Sequence, residues 1–311
     1  MKGKKIALFC AENQDHFIKE IFEHFAKNNE IRRFKQGEIT EMIQIALWSD
    51  ISFFEWVTDA VKFVSKMDLP CQKIVRLHRV EAYNKIVTEV NWQNIDDLIV
   101  VAPHMKQLIE FRVPESKQAK ITIIPESVNM DRFPLKENID SEYYNIGYLG
   151  NLVEVKNPAL LLQCFKYIKD HWQGEKKVKF HVAGKFLLDE IKDYFEYAIK
   201  FLGLEKDLSM WGWVKSEEYL KGLNALISSS SSEGFPVGVL EAMASGVKPA
   251  VHNFYGSAGL YPDSMTWDTV EQCYKIIISE DRPEDYREWA SQFSTEKTVA
   301  KIEKLVDQHE A

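Results

Sequence analysis

No stretch of this chain approaches the roughly 18 uninterrupted apolar residues that a membrane-spanning helix needs, so any membrane contact is expected to be peripheral. The opening MKGKKIALFCAEN starts basic, but its apolar run ends after six residues at Glu12 and Asn13. That is too short for the core of a signal peptide, and the segment reads as a first strand. Cysteine is scarce: four residues, at 10, 71, 164 and 273, show no paired spacing. Neither a disulfide framework nor a zinc site fits that pattern, and reduced thiols in a cytoplasmic, soluble protein are expected. A basic excess is also missing. Residues 1–125 hold 18 Lys and Arg against 17 Asp and Glu, and the remainder holds 21 against 30, giving a net charge of −8. Without a clustered basic face, nucleic-acid binding is not expected. Internal repeats and functional low-complexity tracts are absent.

What is present is core-forming material, 45% hydrophobic residues in a length that allows two domains of about 150 residues. Short β-rich apolar runs alternate with amphipathic stretches, the pattern of parallel sheets covered by helices. In the first half the strands are KIALFC, EIRRF, ISFF, KIVRLH, DLIVVA and KITIIP. The helical stretch DHFIKEIFEHFAKN places Phe17, Ile21 and Phe25 every fourth residue. The second half repeats the alternation with NIGYLG, KFHVAG, SMWGWV, ALISSS and VKPAVH as strands. The predicted architecture is α/β, with a Rossmann-like domain over 1–125, a linker over 126–144, a second Rossmann-like domain over 145–282, and a tail helix over 283–311. Trp289, Phe293, Val299, Ile302 and Leu305 are candidates for the tail's buried face. The aromatic runs SFFEW and MWGWV read as core and rim packing, and the adjacent Asp96 and Asp97 as a solvated turn rather than metal ligands.

One stretch carries chemistry. In SSSSSEGFPVGVLEAMASG, Glu233 precedes a short helix favoured to start at Pro236 and stop at Gly246, and Glu241 lies inside it among apolar or small residues. The helix is expected to be buried nearly all round. A buried carboxylate needs partners, so Glu241 calls for a basic side chain, backbone donors or a ligand. The two acids lie on the order of 10 Å apart, with backbone N–H groups between them that can receive a phosphate at the positive end of the helix. Pyrophosphate at the helix end, a ribose diol at Glu241 and a sugar at Glu233 would satisfy this constellation.

The E-x7-E spacing in SSEGFPVGVLEAMASGVKPAV resembles the signature of the family 4 retaining glycosyltransferases with the GT-B fold, two doubly wound parallel-sheet domains facing a central cleft. IIPESVNMDRF resembles the family's interdomain segment. IGYLGNLVEVKNPALLL is similar to its first phosphate-binding loop, FHVAG to a following strand, and LSMWGWVKSEEYLKGLNALISSS to the base-binding loop and next strand. The resemblance implies that Glu241 binds ribose, that Glu233 binds hydroxyls of the transferred sugar, and that Gly234, Phe235, Pro236 and Val237 offer backbone to sugar and phosphate. It also implies that Lys156 binds the pyrophosphate beside Gly150, and that Trp213 and Val214 approach the base. His78, after KIVRL, matches a histidine often placed near the sugar. Asn151 stands where the family usually has an arginine, so Lys185 or another cation must compensate. Pro125, Glu126, Ser127, Val128 and Asn129 replace the usual Pro-Asn-Gly-Val-Asp, and FCAENQDHF lacks the paired glycines often found in the first turn. The implied function is transfer of a hexose-like sugar from a UDP- or GDP-sugar, with retention, to a glycan, lipid-linked or protein acceptor, with no metal and no cofactor. A nucleotide-sugar-binding inactive or partner subunit, and a GT-B epimerase or phosphorylase, are the alternative readings.

Overall fold

Six of the apolar runs become the strands of one parallel sheet: β1 (Lys5–Phe9), β2 (Glu30–Phe34), β3 (Ile51–Glu55), β4 (Gln72–Leu77), β5 (Asp97–Val100) and β6 (Lys120–Ile123), in the order β2-β1-β3-β4-β5-β6. Every residue of β3 and β5 is buried, as strands covered on both faces require. A second parallel sheet holds β7 (Tyr143–Leu149), β8 (Lys177–Ala183), β9 (Leu208–Gly212), β10 (Ala225–Ser228), β11 (Lys248–His252) and β12 (Thr266–Trp267), in the order β12-β11-β10-β7-β8-β9. β12 has two residues, too few to show a period in sequence. The computed structural model describes residues 3–11, 14–15, 18–136, 142–280 and 282–307. Glu12, Asn13, Phe17, His309 and residues 137–141 of the expected linker lie outside the described residues.

The chain divides into two units, Met1–Ser127 with Thr295–Ala311, and Val128–Ser294. In the first, Ile21, Phe22 and Phe25 of the helix Lys19–Phe25 share a core with Ile302, Leu305 and Val306 of the helix Thr295–Asp307. In the second, Leu161, Phe165 and Ile168 of the helix Pro158–His171 pack with Phe195 of the helix Asp189–Phe201 over Phe180 and Val182 of β8.

Four expectations are corrected here. The tail is two helices rather than one, and the first of them, Pro283–Ser291, belongs to the second unit. There the Arg287 guanidinium donates to the carbonyls of Phe133, Ala244 and Met130, and Trp289 stacks on Tyr261 at 5.2 Å. Three carbonyls and an aromatic partner hold this helix, so only Val299, Ile302 and Leu305 of the expected face pack into the first unit. The 126–144 segment is divided too: Glu126 is buried in the first unit, and Val128 opens the second by donating to Phe293 O at 2.9 Å. Asp97 lies fully buried in β5, where its carboxylate accepts from Gln72 Nε2 at 2.8 Å, whereas Trp211 and Trp213 of MWGWV are 55% and 70% exposed.

Candidate functional site

In the second unit the chain winds one way from β7 through β8 to β9, then returns to build β10, β11 and β12 on the other side. The order reverses between β7 and β10, which are hydrogen-bonded neighbours. In open α/β sheets ligands bind beyond the strand carboxyl ends at this switch point. Gly150 and Asn151 leave β7 there, and the serine run and Glu233 leave β10.

Serine hydroxyls stitch the two loops together. Ser229 Oγ donates to Lys156 O at 2.7 Å, Ser231 N to Val155 O at 2.8 Å, and Ser230 Oγ to Glu233 Oε1 at 2.6 Å. The Lys156 ammonium closes the arrangement with an ion pair to the same carboxylate oxygen. The Glu233 side chain is 9% exposed and that of Lys156 28%, so the carboxylate is largely desolvated while its cation still reaches solvent. Asn157 takes a left-handed φ of 49° and caps the helix Pro158–His171, its side chain accepting from Leu160 N at 3.3 Å. That turn fixes where Lys156 leaves the chain.

Glycine is required where β7 and β8 end. A Cβ on Gly184 would lie 1.8 Å from Gly150 O, and the residue's φ is +148°. The two exit loops then run side by side, with Leu152 N donating to Lys185 O at 2.8 Å. Lys185 is exposed, and its backbone N–H approaches Asn151 Oδ1 at 3.4 Å. Gly184→Ala is expected to destabilise the second unit by about 3 kcal/mol, because backbone must move to admit the methyl group. A melting temperature within 2 °C of the parent, by roughly the usual conversion, would contradict that reading.

The helix after Glu233 runs Val237–Ala244 with Pro236 as its N-cap. Gly234, Phe235 and Pro236 are buried. Intrahelical bonding begins with Val239 N and Leu240 N donating to Pro236 O, so the amides of Val237 and Gly238 precede the first such bond. The helix is not buried all round. Val237, Gly238 and Glu241 form one partly exposed face at spacings of one, three and four. On that face a Cβ at Gly238 would stand 3.2 Å from Leu149 O, at the end of β7. Glu241 thus shares the helix face that meets the β7 terminus. Gly246, with φ +71°, ends the segment as expected.

Trp213 is exposed. Val214 lines a pocket of about 530 Å³ with His181, Trp211 and Tyr219. His181 Nε2 lies 3.0 Å from Asn145 Oδ1, and Trp211 Nε1 donates to His181 Nδ1 at 3.2 Å. Burial, then the Lys179 charge, lowers the His181 pKa.

His78 is in the first unit, and its surroundings differ from the expected sugar contact. Its Nε2 lies 2.8 Å from Glu55 Oε1 and its Nδ1 3.0 Å from Glu126 Oε1. Arg76 reaches the same two carboxylates, with NH1 3.0 Å from Glu55 Oε1 and NH2 2.5 Å from Glu126 Oε2. Burial disfavours the charged imidazole, but Glu55 and Glu126 outweigh it and hold the His78 pKa at about 9. Both ring N–H groups of that cation are committed to carboxylates, which gives His78 a structural task. Trp56, in an uncommon φ of 76°, covers the ring at 4.0 Å. The departure of Glu126 from the interdomain motif is thereby accounted for: together with Glu55 it balances the charges of Arg76 and His78.

Arg76, Glu55, Ser230 and Tyr148 were missed in sequence. One signal was available, a charge inside each of two apolar strands; the β3–β4 register that pairs Glu55 with Arg76 came from the structure. Tyr148 is buried, and burial together with the Glu233 charge raises its pKa.

Two Rossmann-like units of this topology make the chain a two-domain GT-B protein. Residues 129–263 match the family glycosyl transferases group 1. It is 26% identical over 211 residues to a tRNA-queuosine alpha-mannosyltransferase of Drosophila melanogaster, covering 62% of this chain and 54% of that one. It is 28% identical over 149 residues to an Escherichia coli UDP-Gal:alpha-D-GlcNAc-diphosphoundecaprenol alpha-1,3-galactosyltransferase, covering 44% and 38%. The chain thus spans about half or less of the length of these relatives. Among solved structures, HepE of Anabaena in complex with UDP and glucose superposes with a TM-score of 0.81 at 12% identity, covering 98% of this chain and all of that one. A sucrose-phosphate synthase from Thermosynechococcus elongatus does so at 0.78 and 13%, covering 98% of each. No helix among the described residues is long and apolar enough to cross a membrane.

Proposed function

We propose that this chain transfers a hexose-like sugar from a nucleoside-diphosphate sugar to an acceptor, with retention of configuration. The observation that carries the reading is the desolvated Glu233 carboxylate, paired with Lys156 at the strand-order switch and followed directly by a helix start. The pyrophosphate sits at the amides of Val237 and Gly238, where the helix dipole contributes roughly 0.3–1 kcal/mol per charge. It draws Lys156 toward itself, and the sugar hydroxyls take over the carboxylate that Lys156 leaves. Lys185 supplies the positive charge absent at Asn151. Glu241 binds the ribose, and Trp213 and Val214 bound the base. Backbone and cations at the leaving phosphate stabilise its developing charge, and that phosphate accepts the acceptor's proton on the same sugar face, so no protein nucleophile or metal is required. The relatives named for mannosyl and galactosyl transfer, and the neighbour holding UDP with glucose, support a nucleotide-sugar.

Thermal unfolding with UDP, GDP and their hexose conjugates tests this. A ligand at a hundred times its Kd adds about 2.7 kcal/mol of stability, a rise in melting temperature of roughly 5–10 °C. A flat response to every member of the panel would end the proposal. Analysis of the anomeric product separates retaining transfer from inversion, epimerisation and phosphorolysis.

A further inference from the structure

The loops after β10 and β11 are tied together beyond what the sheet requires. His252 Nδ1 lies 2.9 Å from Ser230 O, directly beside the hydroxyl that donates to Glu233. Asn253 N donates to Trp267 O at 2.8 Å, Ser257 Oγ to Asn253 Oδ1 at 2.5 Å, and Tyr261 N to Ser257 O at 2.9 Å, so the loop closes back on itself and fixes Tyr261. From the other side a row of rings holds it. Tyr261 stacks on Trp289, Trp289 meets Phe293 at 4.7 Å, and Phe293 meets Phe235 at 5.0 Å, two residues from Glu233. The ring is 3% exposed, yet its hydroxyl has no hydrogen-bond partner among the described residues. Buried hydroxyls are rarely left unmatched unless a ligand or water completes them. Burial, then the charge of Glu233, drives the phenol pKa well above its ordinary value, so the hydroxyl stays a proton donor.

We infer that the Tyr261 hydroxyl is a second recognition group for the transferred sugar, donating a hydrogen bond to a sugar oxygen beside Glu233. This rests on the proposed nucleotide-sugar site and names a residue in it that the E-x7-E pattern does not contain. Because the hydroxyl has no partner among the described residues, Tyr261→Phe removes one oxygen and keeps every ring contact.

The test compares parent and Y261F by calorimetry and thermal unfolding with UDP, UDP-glucose, GDP and GDP-mannose. The expected result is an unchanged or higher melting temperature without ligand, unchanged affinity for the nucleoside diphosphate, and about tenfold weaker binding of its sugar conjugate. Equal binding of the conjugate by both proteins overturns the inference alone. So does a lower melting temperature of free Y261F, which would show that the hydroxyl serves the fold, or a matching loss for the bare diphosphate. A parent that binds no conjugate overturns the underlying reading, and this inference with it.

Discussion

Glu233→Gln is expected to lower sugar transfer by roughly 10²–10³-fold while the protein keeps its fold, the loss typical of removing one group that stabilises the reacting centre. The substitution keeps the side-chain volume and leaves Ser230 Oγ an acceptor, but it removes the charge that Lys156 pairs with in the free state. Lys156, still partly solvated, is not stranded by the change, so the expected fall in melting temperature is small. Lys156→Ala behaves differently. It removes the cation from a carboxylate that is only 9% exposed, and both stability and turnover are expected to fall. The informative variant is therefore the glutamine. Near-parental turnover of Glu233→Gln, with product configuration unchanged, would remove Glu233 from the reaction.

The largest stability effect is expected in the first unit, far in sequence from that pair. Arg76→Met leaves Glu55 and Glu126, at 0% and 3% side-chain exposure, with His78 as the one remaining cationic partner among the described residues. Breaking a buried ion pair by removing one partner costs about 3–5 kcal/mol, and a melting-temperature drop on the order of 10 °C is expected. The same cluster predicts a pH dependence. The His78 pKa is about 9 in the folded chain against an ordinary 6.5. Its raised value means that the stabilisation is complete below about pH 6.5 and is lost as pH rises through about 9, an amount on the order of 3 kcal/mol. His78→Gln should flatten that limb of the stability curve. A parental curve already flat from pH 6.5 to 9 would show that the imidazole is neutral there, and would reopen it for a sugar contact.

The sequence was explicit where one residue type has one physical use. Alternating apolar runs gave eleven of the twelve strands among the described residues, most plainly β3 and β5, which are buried on both faces and read as near-continuous apolar runs. Glu233 and Glu241 were visible because charge beside tiny and apolar residues is unusual, Lys156 through the resemblance of its loop to the family's phosphate-binding loop, and Gly246 because a left-handed helix stop favours glycine. The tail was less legible. Trp289 and Phe293 fit a buried face, but which unit supplies the partner depends on Tyr261, Phe235 and the carbonyls that Arg287 finds, none of them near in sequence. His78 shows the same limit. Its position after a strand was legible, whereas Glu55 and Glu126 lie 23 and 48 residues away and decide its charge.

By itself, then, the order of residues determined the element types, the two sheets and the presence of an acid before one helix start, since period, propensity and local capping act over a few neighbours. Only the tertiary structure decided which charges meet. Desolvation and pairing depend on groups brought within about 3 Å across the chain, and the energy of a buried charge is set by that company rather than by its place in the sequence.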